Sequence, residues 1–243
     1  MILYHEPLNY GHASNVTFYA ALEAFFQMGF HLRPTPRIED IQPEADYLVV
    51  GGIRFIQGAL HQAGITPPPP LDYPPSLRHF LGRKIWTSTV NELAAHPSQW
   101  NVFIKPKGFA KKFTGRWVKD TSDLVGCGDP GMNTPIWVSE PRTFLAEWRV
   151  FVRYQDILDV RPYKGNWRLH YDPQVIEAAV DAYQDAPAGY ALDFGVTAEG
   201  ETCLVEANDG YSLGSYGLFH IHYAKLLSAR WSEMVGREDL CNY

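Results

Sequence analysis

The sequence predicts a mixed α/β protein built from small lobes, and three observations carry that reading. Short apolar strands and amphipathic helices alternate over the first 65 residues. A run with six prolines at residues 66–75 then breaks the pattern. Pairs of strand-like segments follow, closing with the hairpin Tyr190–Asn208. Alternating strands and helices favour a small parallel sheet. Consecutive prolines continue neither helix nor sheet, so they read as a semi-rigid boundary between lobes.

Composition sets limits. The 243 residues are 46% hydrophobic, enough for a substantial core in one domain or in two to three lobes. A net charge of −6 argues against a general nucleic-acid binder. Cys127, Cys203 and Cys241 form neither a zinc spacing nor a disulfide framework, so a reducing cytoplasm is expected. The first residues lack a basic start followed by an apolar run, and no segment approaches ~18 consecutive apolar residues. Neither secretion nor a membrane partner is expected.

Taken in order, Ile2–Tyr4 reads as a strand. Ser14 is placed to cap a helix reaching Met28, with Val16, Tyr19, Leu22, Phe25 and Phe26 as its apolar stripe and Gly29 as its stop. Tyr47–Val50 reads as a buried strand, and Ile53–Ala63 as a second helix ended by Gly64. Gly51-Gly52 lacks the G-x-G-x-x-G spacing and reads as a turn. Beyond the prolines, Lys84–Thr87 is strand-like, and Thr89 is placed to cap a helix through Ala95.

Trp100–Pro106 and Arg116–Lys119 read as a strand and its return. Between them, residues 107–115 carry Lys107, Lys111 and Lys112 and glycines near both ends. With Lys105 just before it, this stretch suits a mobile flap over phosphates, or else a solvated basic hairpin. The chain has no G-x-x-x-x-G-K-[ST] loop. Residues 121–135 read as a loop, and Cys127 within it lacks an assigned base partner, which makes it a weak nucleophile candidate.

Ile136–Glu140 is an apolar strand ending in polar atoms. Leu145–Val152 and Ile157–Tyr163 pair as a hairpin. Glu147, Arg149 and Phe151 share one face of the first strand, and Trp148, Val150 and Val152 the other. Arg161 and Tyr163 share a face of the second. Planar guanidinium groups suit an anionic substrate, although an exposed Glu–Arg ladder is the plain alternative. Asp172-Pro173 starts a helix to about Gln184, with Val175, Ile176, Ala179, Val180 and Tyr183 as its stripe. A last helix runs from about Phe219 to Val235, where His220 and His222 are too close in sequence to face one metal.

The closing hairpin places Glu206 and Asn208 on one face, with Asp193 in the partner strand. Two carboxylates and an amide oxygen form a hard-oxygen set suited to Mg²⁺ held against nucleotide phosphates. Alone, the hairpin reads more readily as a surface hairpin with ordinary charges.

The order Lys84, Lys105, flap, Glu140, Glu147-Trp148-Arg149, Arg161, Asp193 and Glu206-Ala207-Asn208 resembles the ATP-grasp superfamily. The match is to its branch marked by one arginine and two lysines, related to RimK-type peptide ligases. It covers roughly residues 80–235, and the preceding lobe is similar to a shortened, Rossmann-like pre-ATP-grasp domain. The resemblance implies an ATP-grasp fold in three parts: a β/α lobe over 1–75, a small central lobe with the flap over 76–140, and a C-terminal lobe with the metal site over 141–243. It implies Lys84 and Lys105 at the α- and β-phosphates, with Lys107 of the flap beside them. Ser139 and Glu140 fall at the adenine hinge, and Glu147 at the ribose or behind Arg149. Arg149 and Arg161 become the catalytic groups, and Asp193, Glu206 and Asn208 the ligands of Mg²⁺, with Mn²⁺ as its alternative.

The implied activity is ATP-dependent joining of a small or peptide carboxylate to an amine through an acyl-phosphate. A kinase of the same fold acting on a hydroxyl, and a non-catalytic nucleotide-binding scaffold suggested by the prolines, are the alternatives.

Overall fold

The structure is a computed structural model that describes residues 1–7, 16–43, 46–108, 112–128 and 131–243. Ser14 and flap residues 109–111 lie outside the described residues. Three sheets organise the described residues.

In the first, β1 (Ile2–His5) is flanked in parallel by β2 (His31–Pro34) and β3 (Tyr47–Val50). Helices α1 (Val16–Gln27) and α2 (Ile53–Gln62) complete this lobe. The strand β2 was not expected, because its sequence HLRP is mostly exposed, lacks an apolar run and ends in proline. The expected α1 stripe also needs correction. Leu22 and Phe25 are buried with Ala21 and Ala24, whereas Val16, Tyr19 and Phe26 are exposed. The two alanines let the helix sit close to its neighbours, so the contact face runs over small residues rather than along the bulkiest ones. Gly29 ends the helix with φ +85°, the left-handed conformation that suits glycine.

The second sheet is antiparallel, from β4 (Ile85–Thr89), β5 (Val102–Pro106), β6 (Arg116–Val118) and β7 (Pro135–Ser139), in the order β4-β7-β5-β6. Helix α3 (Val90–Ala95) starts where Thr89 Oγ1 accepts from the Glu92 backbone N–H at 3.2 Å. Ile104, Val118, Ile136 and Val138 form the core with Cys127. Cys127 is 1% exposed, and burial pushes its thiol pKa up, so this thiol is set as a packing group rather than a nucleophile.

The third sheet, also antiparallel, has β8 (Ala146–Arg153), β9 (Asp156–Gly165), β10 (Gly189–Val196) and β11 (Thr202–Asp209) in the order β11-β10-β8-β9. Tyr154 and Gln155 both take positive φ, 49° and 68°, as a two-residue hairpin with the strands' own twist requires. One face of this sheet presents Val150, Val152, Leu192 and Phe194 to helix α4 (Pro173–Ala182). Asp172 caps that helix by accepting from the Gln174 N–H at 2.9 Å. The other face presents Phe151 and Ala191 to helix α5 (His220–Val235). The same helix packs on the first lobe, where the rings of Trp231 and Tyr47 meet edge to face at 5.8 Å. One core therefore runs from the first sheet through α5 to the third sheet. Further along that face the sheet carries Glu147, Arg149, Asp193 and Glu206 instead of apolar side chains.

Among the described residues no helix is long and apolar enough to cross a membrane.

Candidate active site between two sheets

Strand register puts four charged residues in one row. Glu206 of β11 lies opposite Asp193 of β10, Asp193 opposite Arg149 of β8, and Arg149 opposite Arg161 of β9. Two acids occupy one end of the row and two guanidinium groups the other. Arg149 donates from Nε and Nη2 to both Asp193 carboxylate oxygens at 2.7 Å each, with side chains 8% and 4% exposed. Asn208 Nδ2 donates to Asp193 Oδ2 at 3.1 Å. Burial is the largest influence on Asp193 and pushes its carboxyl pKa up, against the pull of Arg149. Burial alone lowers the Arg149 pKa, but Asp193 outweighs it and holds the guanidinium firmly charged.

A β-bulge aims the acidic end. Asp193 pairs with Glu206 but the next residue, Phe194, pairs with Leu204, so Val205 is the extra residue of β11. Arg83 donates to the carbonyls of Leu204 and Val205 at 2.9 Å each and so satisfies the irregular backbone. Sequence reasoning missed Arg83, whose only signal was a second cation beside Lys84.

Lys105 reaches from β5 into this row. Its Nζ lies 2.7 Å from Glu206 Oε2 and 2.7 Å from Asp72 Oδ1. Burial lowers its pKa, but Glu206, Tyr73 and Asp72 together raise it above the usual lysine range, so it stays an ammonium. Asp72 belongs to the proline-rich stretch, which the sequence marked as a lobe boundary or a scaffold segment and not as part of the site. Its other oxygen accepts from Trp137 Nε1 at 2.7 Å. Lys107 Nζ sits 4.7 Å from the centre of the Trp137 ring.

The remaining candidates form two groups. Glu147, buried on β8, accepts from Tyr163 Oη at 2.7 Å and from Lys164 Nζ at 2.5 Å. Burial, Asp193 and Glu147 raise the Tyr163 pKa, so it remains a neutral donor. Its ring stacks on Tyr216 at 5.0 Å, and the Arg149 guanidinium lies 4.7 Å over the Tyr216 ring. Arg161 pairs with Asp159 at 3.1 Å and donates to the Gly217 carbonyl. Lys84, Ser139 and Glu140 gather at the ends of β4 and β7. There the Lys84 N–H donates to Glu140 Oε2 at 2.9 Å, and the Glu140 N–H donates to the Lys84 carbonyl at 3.0 Å. Ser139 is buried opposite Ile85 and Phe103.

The donor chemistry fits a hard divalent cation. Mg²⁺ is held by one or two carboxylates while phosphates and water complete its shell. Asp193, Glu206 and Asn208 offer two carboxylates and an amide oxygen on one face, and neighbouring cations now balance both acids. Among the described residues, no three or more His, Cys, Asp or Glu converge as a ready cage.

Residues 80–226 match the model of an ATP-grasp domain family, the second family of the clade marked by one arginine and two lysines. No curated protein is similar to the chain in sequence at a significant level. Among solved structures, a D-alanine–D-alanine ligase from Bacillus anthracis is similar with a TM-score of 0.57 at 14% identity, covering 96% of this chain and 95% of that one. A RimK domain ATP-grasp protein from Sphaerobacter thermophilus gives 0.58 at 15% identity, covering 92% and 98%. The macrocyclase MdnC from Microcystis aeruginosa, bound with precursor peptide MdnA, gives 0.50 at 12%, covering 93% and 99%. These likenesses establish the fold, and the family match spans more than half of the sequence. The chain belongs to the ATP-grasp domain family, in the second family of the clade marked by one arginine and two lysines.

Proposed function

We propose that the chain is an ATP-dependent carboxylate–amine ligase that forms an amide through an acyl-phosphate and releases ADP and phosphate. The observation that carries this reading is the charged row Glu206–Asp193–Arg149–Arg161, reached from the neighbouring sheet by Lys105. Adjacent strands are about 4.8 Å apart, so acids and guanidinium groups lie one to three strand spacings from one another. Phosphoryl transfer calls for both kinds of group within reach: carboxylates that would hold a divalent cation, and guanidinium groups that stabilise the transferring charge. The fold's likeness to a D-alanine–D-alanine ligase and to a macrocyclase bound with a precursor peptide supports a small-acid or peptide substrate.

In this reading Lys84, Lys105 and Lys107 bind the phosphates of ATP, and Ser139 and Glu140 border the adenine. Glu147 orients the ribose or the Tyr163 side of Arg149. Asp193, Glu206 and Asn208 would hold Mg²⁺ or Mn²⁺, which supplies charge neutralisation at the phosphate oxygens. Arg149 and Arg161 stabilise charge on the transferring phosphoryl group and on the acyl-phosphate. The substrate carboxylate oxygen attacks the γ-phosphorus and the bond to ADP breaks. An amine then attacks the acyl carbon, loses a proton, and expels phosphate. Holding both partners in place supplies most of the acceleration in such transfers.

The test is ADP release in ATP and Mg²⁺ with a panel of amino acids and peptides, with hydroxylamine present to trap acyl-phosphate as hydroxamate. ADP together with hydroxamate or amide supports the ligase. A stable phosphorylated alcohol selects the kinase, and tight nucleotide binding with no turnover selects the scaffold.

A further inference from the structure

The proline-rich stretch does more than separate lobes. Asp72 takes φ +47° and forms an isolated antiparallel bridge with Ala207, whose N–H donates to the Asp72 carbonyl at 2.8 Å. Its backbone is thus tied to β11 between Glu206 and Asn208. Its side chain crosses to the other sheet, where one oxygen meets Lys105 of β5 and the other accepts from Trp137 of β7, each at 2.7 Å. The adjacent Tyr73 adds a second seat. The Lys105 ammonium lies 4.5 Å from the Tyr73 ring centre, and Tyr73 meets Trp137 edge to face at 5.1 Å. Lys107 then rests on the Trp137 ring.

We propose that Asp72 and Tyr73 are positioning residues for nucleotide binding: the segment is a strap that seats Lys105 directly, and Lys107 through Trp137, against the acidic end of the row. This rests on the nucleotide site proposed above. The physical argument concerns order. A lysine on a flexible stem gives up rotamer freedom when it binds an anion. Here a carboxylate and two aromatic faces restrict both lysines beforehand. Asp72 also carries a charge that competes with phosphate for Lys105, so the sign of its effect decides the matter. Positioning prevails because Asp72 is itself fixed, by Ala207 through its backbone and by Trp137 through its side chain, and so Lys105 has a single place to return to.

The experiment is titration of the 243-residue chain with a non-hydrolysable ATP analogue, with and without Mg²⁺. The variants are Asp72→Ala, Asp72→Asn, Tyr73→Phe and Tyr73→Leu. The Trp137 indole N–H is followed by NMR and assigned with Trp137→Phe. Asp72→Ala is expected to weaken binding about tenfold, a loss typical of one good polar contact, even without metal. Asp72→Asn is expected to lose less, because one acceptor remains. Tyr73→Phe keeps the ring face and should bind within about twofold of wild type, whereas Tyr73→Leu should weaken binding by about threefold to tenfold, the worth of a cation–π contact. The Trp137 N–H signal should move both in Asp72→Ala and when nucleotide is added.

Binding by Asp72→Ala at or above wild-type affinity overturns the proposal and makes Asp72 a competitor. If Asp72→Ala does not fold, Asp72→Asn and Tyr73→Leu are judged by the same criterion. Wild type that binds no nucleotide removes the site reading and the strap together. Wild type that binds, with all four variants binding equally, removes the strap alone.

Discussion

Arg149 and Asp193 face each other across hydrogen-bonded strands and share two 2.7 Å hydrogen bonds with both side chains almost wholly buried. Breaking a buried pair from one side strands a charge in a poorly solvating interior, whereas replacing both partners removes that penalty. Arg149→Met is therefore expected to cost about 3–5 kcal/mol of stability. The double variant Arg149→Met with Asp193→Leu should be more stable than Arg149→Met alone. Urea unfolding of the four members of this cycle measures it, and a wild-type midpoint for Arg149→Met would show that the pair adds no stability.

The acidic end makes a separate prediction, read through ligand-linked stability. A ligand that binds only the folded chain stabilises it by RT ln(1 + [L]/Kd), about 2.7 kcal/mol at a hundredfold excess over Kd. ATP analogue with Mg²⁺ should raise the wild-type melting temperature. Glu206→Gln and Asn208→Ala should fold as wild type and lose most of the metal-dependent part of that rise. Lys105→Ala should lose its rise even without metal. Shifts as large as wild type's in all three variants would place the nucleotide elsewhere.

Stability should also fall in alkali. Tyr183, Tyr190 and Tyr223 are buried, and burial raises their pKa. The Tyr154 hydroxyl is pushed up to about 12 by burial and by the Asp239 carboxylate, to which it donates at 3.0 Å. A phenol with a higher pKa in the folded chain keeps its proton longer when folded. Its contribution is complete below the unfolded value of about 10 and is lost as pH rises through the folded value. Denaturant midpoints should hold steady up to about pH 10 and decline towards pH 12. Tyr154→Phe should show a shallower decline. A flat profile to pH 12 would contradict the buried phenols.

The elements that the sequence made legible are those whose signals are local. Thr89 and Asp172 cap their helices within three residues of themselves, and alternation alone puts Glu206 and Asn208 on one face, although it takes the bulge at Val205 to bring Glu206 opposite Asp193. What stayed hidden depends on distant partners. Asp72 matters through Lys105, Trp137 and Ala207, each in a different strand, and no spacing in TPPPPLDYPP announces them. Arg83 serves the bulge of β11 at Val205, a feature with no local sequence signal. In α1 the misjudged stripe has the same origin, since helical spacing marks a face but the neighbours decide how wide a face is covered.

The open end of the β8–β9 hairpin offers a test of close backbone approach. Gly165 ends β9 opposite Ala146 with φ +92°, and a Cβ there would meet the Leu145 carbonyl oxygen at 2.1 Å and the Ala146 Cα at 2.6 Å. Both neighbours are backbone, so the strand itself must move. Gly200, in the turn before β11, has a similar φ of +82° but open space around it. Gly200→Ala is expected to cost roughly 1–2 kcal/mol, the left-handed penalty alone. Gly165→Ala should cost that and a further 1–3 kcal/mol or so from overpacking. Because Gly165 follows Lys164, whose ammonium holds Glu147, the same change should weaken nucleotide binding, and Gly200→Ala should not. Chemical denaturation and analogue titration of the two variants read both effects. Equal losses at the two glycines would mean that backbone conformation, and not the contact with Leu145, sets the requirement at Gly165.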